Sequence, residues 1–457
     1  MNTPIHNFVT EYSSSEAVRL HMPGHKGKTL LGCEARDITE ISGADALYEA
    51  SGIIGESEAN ATELFGTAKT FYSTEGSTQC IKAMLELARR WWQKKDGVNE
   101  DKRPVIVAAR NAHKAFLYAV IALDFEVVWL WPEEENPSLC SCVVTEETLA
   151  KVLAEQGDAV AAVYLTSPNY LGGMADISAL AEVCHQHNTL LLVDNAHGAY
   201  LHFLETSLHP MDLGADICCD SAHKTLPALT GGAYLHISKI APKEFCAWAK
   251  GAMELFGSTS PSYLILQSLD LCNRYLADEY KERLKKTCEL LVTCKKHLHN
   301  NGWQVEETDP LRITIKAPTG FTGIDVAEQL RRCQIECEFA DKDYLVLMFT
   351  PENSAQDFDR LLEAFNENKS FYNGRMSTRK IPMATAAKQA VSIREAYLSE
   401  GETIPVRRAA GRICRMPMSS CPPAIPVVVP GEIIDEAAIE SFIYYGIENV
   451  EVVKWQK

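Results

Sequence analysis

The fifteen cysteines include no Cys-x-x-Cys pair, which excludes zinc-ribbon and thioredoxin-type chemistry. They are scattered and odd in number. So many unpaired thiols suit a reducing compartment, and the expected location is the cytoplasm. The N-terminal stretch "MNTPIHNFVTEYSSSEAVRLHMPGHKGK" lacks the apolar segment of a secretory leader, so none is expected. No clean membrane span is visible either. The nearest candidate, "AFLYAVIALDFEVVWLW", is interrupted by Asp124 and Glu126 and reads as a buried helix followed by a buried strand. There is no basic surplus: Lys and Arg number 44 against 61 Asp and Glu, a net charge of −17. Neither nucleic acid nor membrane is therefore an expected partner. An acidic field favours cationic small molecules, though only mildly. The glycine-containing "GHKGK" at 24–28 lacks the spacing of a phosphate-binding P-loop. No internal repeat or low-complexity segment occurs.

What is present is an ordinary enzyme composition. The 457 residues are 46% apolar and 23% charged, enough for more than one core. After a loop-rich N-terminal arm (1–60), helices and strands alternate. The segment "STQCIKAMLELARRWWQKK" places Ile81, Met84, Leu85 and Ala88 at helical spacing with a basic last turn. Strands are predicted at 104–109, 126–131, 159–165, 189–194, 215–220 and 232–237, and helices at 113–123, 145–156 and 176–187, with Thr145 a candidate N-cap. Such alternation implies an α/β fold with a mostly parallel sheet covered on both faces. This large domain spans 61–274. Long-helix material (262–302) and the strands "DPLRITIKA" and "DYLVLMFT" imply a small α/β domain over 275–370. A linker and a C-terminal α+β domain fill 371–457, where "CPPAIPVVVPGEII" (421–434) reads as a proline-punctuated strand-like run.

Ligands of such sheets bind beyond the C-terminal ends of the strands. There the chain reads "ARNAHK", "TSPNYLGG", "DNAHGAY" and "DSAHKTL". Lys224 follows the apolar "GADICC"; its amine either sits at a solvated strand end or is kept to form a Schiff base with an aldehyde cofactor. Ser221 and His223 can donate to an anion beside it. Asp194 ends "LLLVD". It is either a loop cap or the partner of a protonated pyridine nitrogen, because a buried aspartate is costly without a positive neighbour. Gly76, Ser77 and Thr78 open a helix whose free N–H groups and two hydroxyls make an anion cup, unless Ser77 is a plain N-cap. His113 either starts a helix or stacks on a planar ring. His197 orients Asp194 or lines the pocket. In chain order this gives a phosphate cup, a stacking histidine, an aspartate and a lysine at successive strand ends, the layout of a fold-type-I pyridoxal phosphate enzyme.

The blocks "HMPGHKGK", "DITEISGADAL", "NAHKA", "DNAHGAYLHF", "SAHKTLPALTGGAYLH" and "PPAIPVVVPGEII" resemble those of the bacterial ornithine/lysine/arginine decarboxylases, in order, from about residue 20 to the C-terminus. The compact length is similar to members without the N-terminal wing domain. The resemblance implies that Lys224 holds pyridoxal 5'-phosphate and Asp194 pairs with its ring nitrogen. It implies that His113 stacks on the ring and that Ser77, Thr78, Ser221 and His223 serve the phosphate. It also implies a homodimer with the active site at the interface, where Ser258 and Thr259 of "GSTSPSY" reach in from the partner. Glu432 of "PGE" matches a carboxylate that meets the distal amine of the substrate. No metal is expected.

Where many members read D-E-A-H-G-[AV]-H, this chain has Asn195 and Tyr200. Gly231 and Gly232 replace a glutamine and a small hydroxyl residue, and Cys421 stands where a tyrosine is frequent. The implied reaction is α-decarboxylation of lysine, arginine or ornithine to a di- or polyamine, with Lys224 or His223 reprotonating Cα. Two other readings stay open. One is an aminotransferase or carbon–carbon lyase on the same fold, with Arg312 either clamping the α-carboxylate or facing solvent from its strand. The other is a non-catalytic pyridoxal phosphate binder.

Overall fold

A computed structural model describes residues 1–95, 102–132, 138–367, 380–382, 387–419 and 423–454. The chain divides into two compact units. The first comprises Met1–Val98, Ala161–Tyr164 and Ile177–Arg283; the second comprises Asn99–Val160, Leu165–Asp176 and Leu284–Lys457.

Seven strands form one mixed, mostly parallel sheet: β1 (Lys69–Ser73), β2 (Val105–Ala109), β3 (Glu126–Leu130), β4 (Val160–Thr166), β5 (Leu190–Asp194), β6 (Ile217–Asp220) and β7 (Ala233–Ile237), in the order β1-β7-β6-β5-β4-β2-β3. β5 and β6 are parallel, with Asp194 opposite Cys219, whereas β7 runs antiparallel to both β6 and β1. Most strands are short and buried along almost their whole length, as expected of a sheet covered on both faces; the edge strand β3 departs from the buried strand expected of its sequence, with Glu126 exposed, Val127–Trp129 partly buried and Leu130 buried. β1 is the strand of this sheet that sequence reading overlooks.

In the first unit the helix Gly76–Gln93 buries Ile81, Met84, Leu85 and Ala88, the face that its spacing predicts. The N-terminal arm, in which short helical pieces are expected among loops, holds helices Pro4–Ser13 and Ile53–Leu64. Asp45, from the "GADAL" block, accepts from the backbone N–H groups of Gly52 and Ile54 and so fixes the start of the latter helix. The predicted long-helix material is two helices, Tyr263–Ala277 and Tyr280–Asn300.

In the second unit the helix Glu146–Gln156 is capped by Thr145, whose hydroxyl accepts from Thr148 N–H, as predicted. A three-stranded antiparallel sheet contains β8 (Arg312–Lys316), β9 (Phe339–Ala340) and β10 (Tyr344–Met348). A two-stranded ribbon of β11 (Gly401–Pro405) and β12 (Asn449–Val453) packs with the helix Glu436–Tyr444 around Val427, Ile434, Phe442 and Val452. The described part of the 421–434 run forms no strand; single bridges, Met418 to Val428, Gln389 to Glu432 and Ile413 to Ile433, involve it. Its prolines remove the donors that a continuous ladder needs. Cys421 lies outside the described residues.

Among the described cysteines Cys33 is the exposed one, and eight, including Cys80, Cys218, Cys219 and Cys272, are buried as free thiols. No helix among the described residues is long and apolar enough to cross a membrane.

Candidate active site

The first unit brings together most of the residues that the sequence singles out. β5 ends on Asp194, which is 3% exposed. Its Oδ2 accepts from the Tyr164 hydroxyl at 3.1 Å and its Oδ1 from Ala196 N–H at 3.2 Å, with the Cys219 thiol at 3.6 Å. Burial raises its pKa above the ordinary aspartate value, against the charge of Lys224 and these donors. Sequence reading missed Tyr164; a tyrosine inside the apolar "AVAAVYL" was the available signal.

Lys224 sits in the short helical turn Ala222–Thr225 that follows β6, half-buried. Its Nζ lies 2.8 Å from His197 Nε2. An ammonium can only donate, so this contact places the His197 proton on Nδ1. His197 therefore meets the lysine directly.

The candidate anion cup lies at the same end of the sheet in the first unit, at the start of a helix. The helix Gly76–Gln93 starts at Gly76 with φ +67°, and Glu75 at its N-cap provides no side-chain cap. Ser77 is accordingly not the N-cap; its hydroxyl accepts from the Ser221 hydroxyl at 2.9 Å. Thr78 is exposed on the same turn. His223 donates from Nδ1 to the Gly232 carbonyl at 2.9 Å, and burial holds its pKa below the usual histidine value. A neutral His223 with its proton on Nδ1 presents a bare Nε2. The loop closing this turn needs its glycines. Gly76 N–H donates to the Gly231 carbonyl at 2.7 Å. Gly231 has φ +100°, and a Cβ there would lie 2.9 Å from the Thr74 carbonyl oxygen. Ser258 and Thr259 are exposed, and Ser258 N–H donates to Glu75.

These groups fit pyridoxal phosphate. A buried carboxylate whose hydrogen-bond donors are uncharged gains from a pyridinium proton. Helix N–H groups without a side-chain cap, beside two serine hydroxyls, suit a phosphate.

Two sequence departures have structural roles. Tyr200 is fully buried in the turn Ala199–Phe203. Asn195 points beneath the site and donates from Nδ2 to Asp220 Oδ1 at 2.7 Å. Asp220 Oδ2 also lies 3.0 Å from both His209 Nε2 and His236 Nε2.

The second unit holds the remaining candidates. His113 is the N-cap of the helix Lys114–Leu123, with Nδ1 accepting from Ala115 N–H at 3.1 Å. Glu432 is 2% exposed and does not cap the helix Glu436–Tyr444, a task that falls to Asp435. Instead its Oε2 accepts from Val429 N–H at 2.8 Å and pairs with Arg110 at 3.4 Å. The same guanidinium donates to the carbonyls of Pro426 and Val427 and lies over the rings of Trp129 and Trp131, at 5.1 and 5.3 Å. Burial still raises the Glu432 pKa. Arg110 was overlooked, although it stands three residues before His113. Arg312 is fully buried, which corrects the solvent-facing reading. It donates to the carbonyls of Asn169 and Tyr170 and pairs with Asp309 at 3.2 Å.

Residues 3–317 match the family described as "Orn/Lys/Arg decarboxylase, major domain", and residues 373–448 match "Orn/Lys/Arg decarboxylase, C-terminal domain". An arginine decarboxylase of Bacillus subtilis is 29% identical over 98% of this chain and 94% of its own. A lysine decarboxylase of Francisella novicida superposes with a TM-score of 0.81 at 17% identity, over 99% of this chain and 81% of its own. A serine palmitoyltransferase of Sphingomonas wittichii superposes with a TM-score of 0.57 at 14% identity, over 81% and 84%. The fold is the fold-type-I architecture.

Proposed function

This chain belongs to the Orn/Lys/Arg decarboxylase family, and from that premise we propose that it removes the α-carboxylate of a basic amino acid (lysine, arginine or ornithine) with pyridoxal 5'-phosphate, releasing CO2 and a di- or polyamine. The observation that carries the reading is the strand-end cluster of one unit, in which Lys224, 2.8 Å from His197, accompanies a buried Asp194 and the Ser77–Ser221 cup. The relatives' names extend to arginine and lysine decarboxylases, which leaves the substrate to be chosen by experiment.

Lys224 would hold the cofactor aldehyde, Asp194 its ring nitrogen, and Ser77, Thr78 and Ser221 its phosphate; Gly76, whose N–H is taken by Gly231, and His223, whose proton faces Gly232, would line that phosphate without donating to it. His113 would lie on the ring, with Ser258 and Thr259 supplied across a homodimer interface. When bound, the cofactor supplies a cationic ring that takes up the electron pair left when the Cα–carboxylate bond breaks. Asp194 holds the proton on that ring. CO2 departs and Cα must gain a proton. Lys224 is the donor that the hydrogen bonds favour, because neutral His223 carries its proton on Nδ1, toward Gly232. Among the described residues both hydrogen bonds to Glu432 end on Oε2, so Oε1 is the oxygen offered to the distal cation of the substrate.

The deciding experiment is a panel of amino acids incubated with the cofactor-loaded enzyme, read as CO2 and amine. One basic amino acid should give both in equal amounts. A keto acid without CO2 would replace this reading with transamination, and cofactor binding without turnover would leave a binding protein. Borohydride reduction followed by peptide mapping should place the cofactor on the peptide containing Lys224.

A further inference from the structure

The cluster beneath the strand ends consists of Asp220, His209, His236 and Cys218, all buried, with one ligating atom each within 4.8 Å of the others. Such a set could hold a divalent metal. Its hydrogen bonds point elsewhere. His209 Nδ1 accepts from Met211 N–H at 3.3 Å, which places the ring proton on Nε2, facing Asp220. His236 Nδ1 meets the Thr70 hydroxyl at 2.9 Å, and Thr70 in turn meets Thr67 at 2.8 Å. That chain is satisfied when His236 also donates from Nε2. Burial lowers the His236 pKa, in keeping with a neutral ring. Asp220 thus accepts from two imidazoles on one oxygen and from Asn195 on the other. It is a carboxylate supplied with three donors.

Its position gives the cluster a purpose. Asp220 immediately precedes Ser221 and the turn that carries Lys224. Asn195 immediately follows Asp194, in the turn that carries His197. The Asn195 amide oxygen lies where a side chain on residue 198 would otherwise be, 2.0 Å from the Cβ that any residue but glycine would place there. Gly198 N–H donates to the Asn195 carbonyl at 2.8 Å. The Asn195 side-chain bond to Asp220 therefore adds to the backbone bond from Asn195 N–H to the Cys219 carbonyl, at 3.0 Å, in joining the two turns that present Asp194, His197 and Lys224.

We propose that Asp220 and Asn195 are positioning residues for the cofactor site: the buried carboxylate, anchored by His209 and His236, sets the register between the Asp194 turn and the Lys224 turn through the Asn195 amide. The inference rests on the cofactor reading of that site, but not on which amino acid is decarboxylated. The exchange of the family's frequent glutamate for Asn195 fits this arrangement, since a second carboxylate beside Asp220 would place two anions together in dry protein.

The test uses Asn195→Ala, Asp220→Asn and the exchanged double variant Asn195→Asp/Asp220→Asn, with three measurements on each. These are the melting temperature of the cofactor-free protein, the dissociation constant for pyridoxal phosphate, and kcat and KM on the best basic amino acid. Loss of a hydrogen bond to a charged group, and with it the alignment of the two turns, should weaken cofactor binding and lower kcat by about tenfold or more in Asn195→Ala, with KM changed by less than about threefold. The double variant restores a donor facing an acceptor and should recover at least half of either loss on a logarithmic scale. A lowered melting temperature with unchanged cofactor affinity and kcat in Asn195→Ala would make the bond merely structural and overturn the proposal. So would a double variant no better than Asp220→Asn, or one equivalent of transition metal in the purified protein. If Asp220→Asn does not fold, Asn195→Ala alone decides. If no amino acid is turned over, the function proposed above fails, while the cofactor titration still judges this inference.

Discussion

Asp194 in the first unit and Glu432 in the second are both carboxylates withdrawn from water, and burial lifts the pKa of each. Their company differs. The hydrogen-bond donors to Asp194 are a phenol, a backbone amide and a thiol, all uncharged. Glu432 has a guanidinium at 3.4 Å. Two further carboxylates of the first unit extend the contrast. Asp270 accepts from the Ser57 hydroxyl and His6 N–H, and burial pushes it up to about 6. Asp220 is just as buried, yet His209 and His236 overcome that burial and hold it well below the ordinary range. Depth alone does not set the state of a carboxylate; the number and kind of its donors do. Among the described residues Asp194 has no charged hydrogen-bond donor and feels Lys224 only through space, so it is suited to an incoming pyridinium, whereas Glu432 is already paired with a guanidinium and must share.

The largest expected effect comes from removing the amine that would hold the cofactor. Lys224→Ala should reduce CO2 release by about three orders of magnitude or more, and the protein should lose the borohydride-reducible label. Asp194→Asn keeps the shape and removes the charge. Turnover should fall by about 10²–10³-fold while some cofactor is retained; near-normal turnover would end the pyridinium role. Glu432→Gln should lower kcat/KM by about ten- to a hundredfold for the cationic substrate and only slightly for a neutral analogue of equal length. Because it also strands a buried Arg110, the melting temperature should drop as well. Selectivity, not stability, is therefore the informative readout: equal losses on both substrates would leave Glu432 as a partner of Arg110 and nothing more.

The smallest effect is a change of slope. A carboxylate whose folded pKa is raised contributes stability that is complete below its unfolded value and is lost as pH rises through its folded value. For Asp270 that window runs from the model-peptide value of 3.8 to about 6. Denaturant titrations across it should show a loss on the order of 2–3 kcal/mol that Asp270→Asn flattens. Asp220 contributes with the opposite sign, its stabilisation being lost only on strong acidification. An unchanged slope in Asp270→Asn would show that neutral donors suffice to keep a buried carboxylate ordinary, and would weaken the case for Asp194 with it.

Much of the architecture was legible because helical and strand periods alternate cleanly from residue 76 to residue 237. The polar loops after β5 and β6 marked the site for the same reason: a buried strand that ends on Asp or leads into Lys must deliver the charge somewhere. What could not be read depends on register. His209 and His236 lie 27 residues apart in the chain, in a loop and inside β7, and only the pairing of β6 with β7 sets His236 beside Asp220. Arg110 could be read as a loop residue, but its two carbonyl acceptors are more than 300 positions away. The 421–434 run misled because β-branched composition suggested a strand that its prolines do not permit.

The buried cysteines have a practical consequence. Each of the eight has its thiol pKa raised by burial, so in the folded chain these sulfurs are both inaccessible and protonated. They are distributed over both units. A thiol-specific alkylating reagent followed by intact-mass measurement would then act as a clock. Cys33 would register first and the five half-buried described thiols after it; labelling of the eight buried sulfurs, located by peptide mapping, would then time openings of the core around known residues.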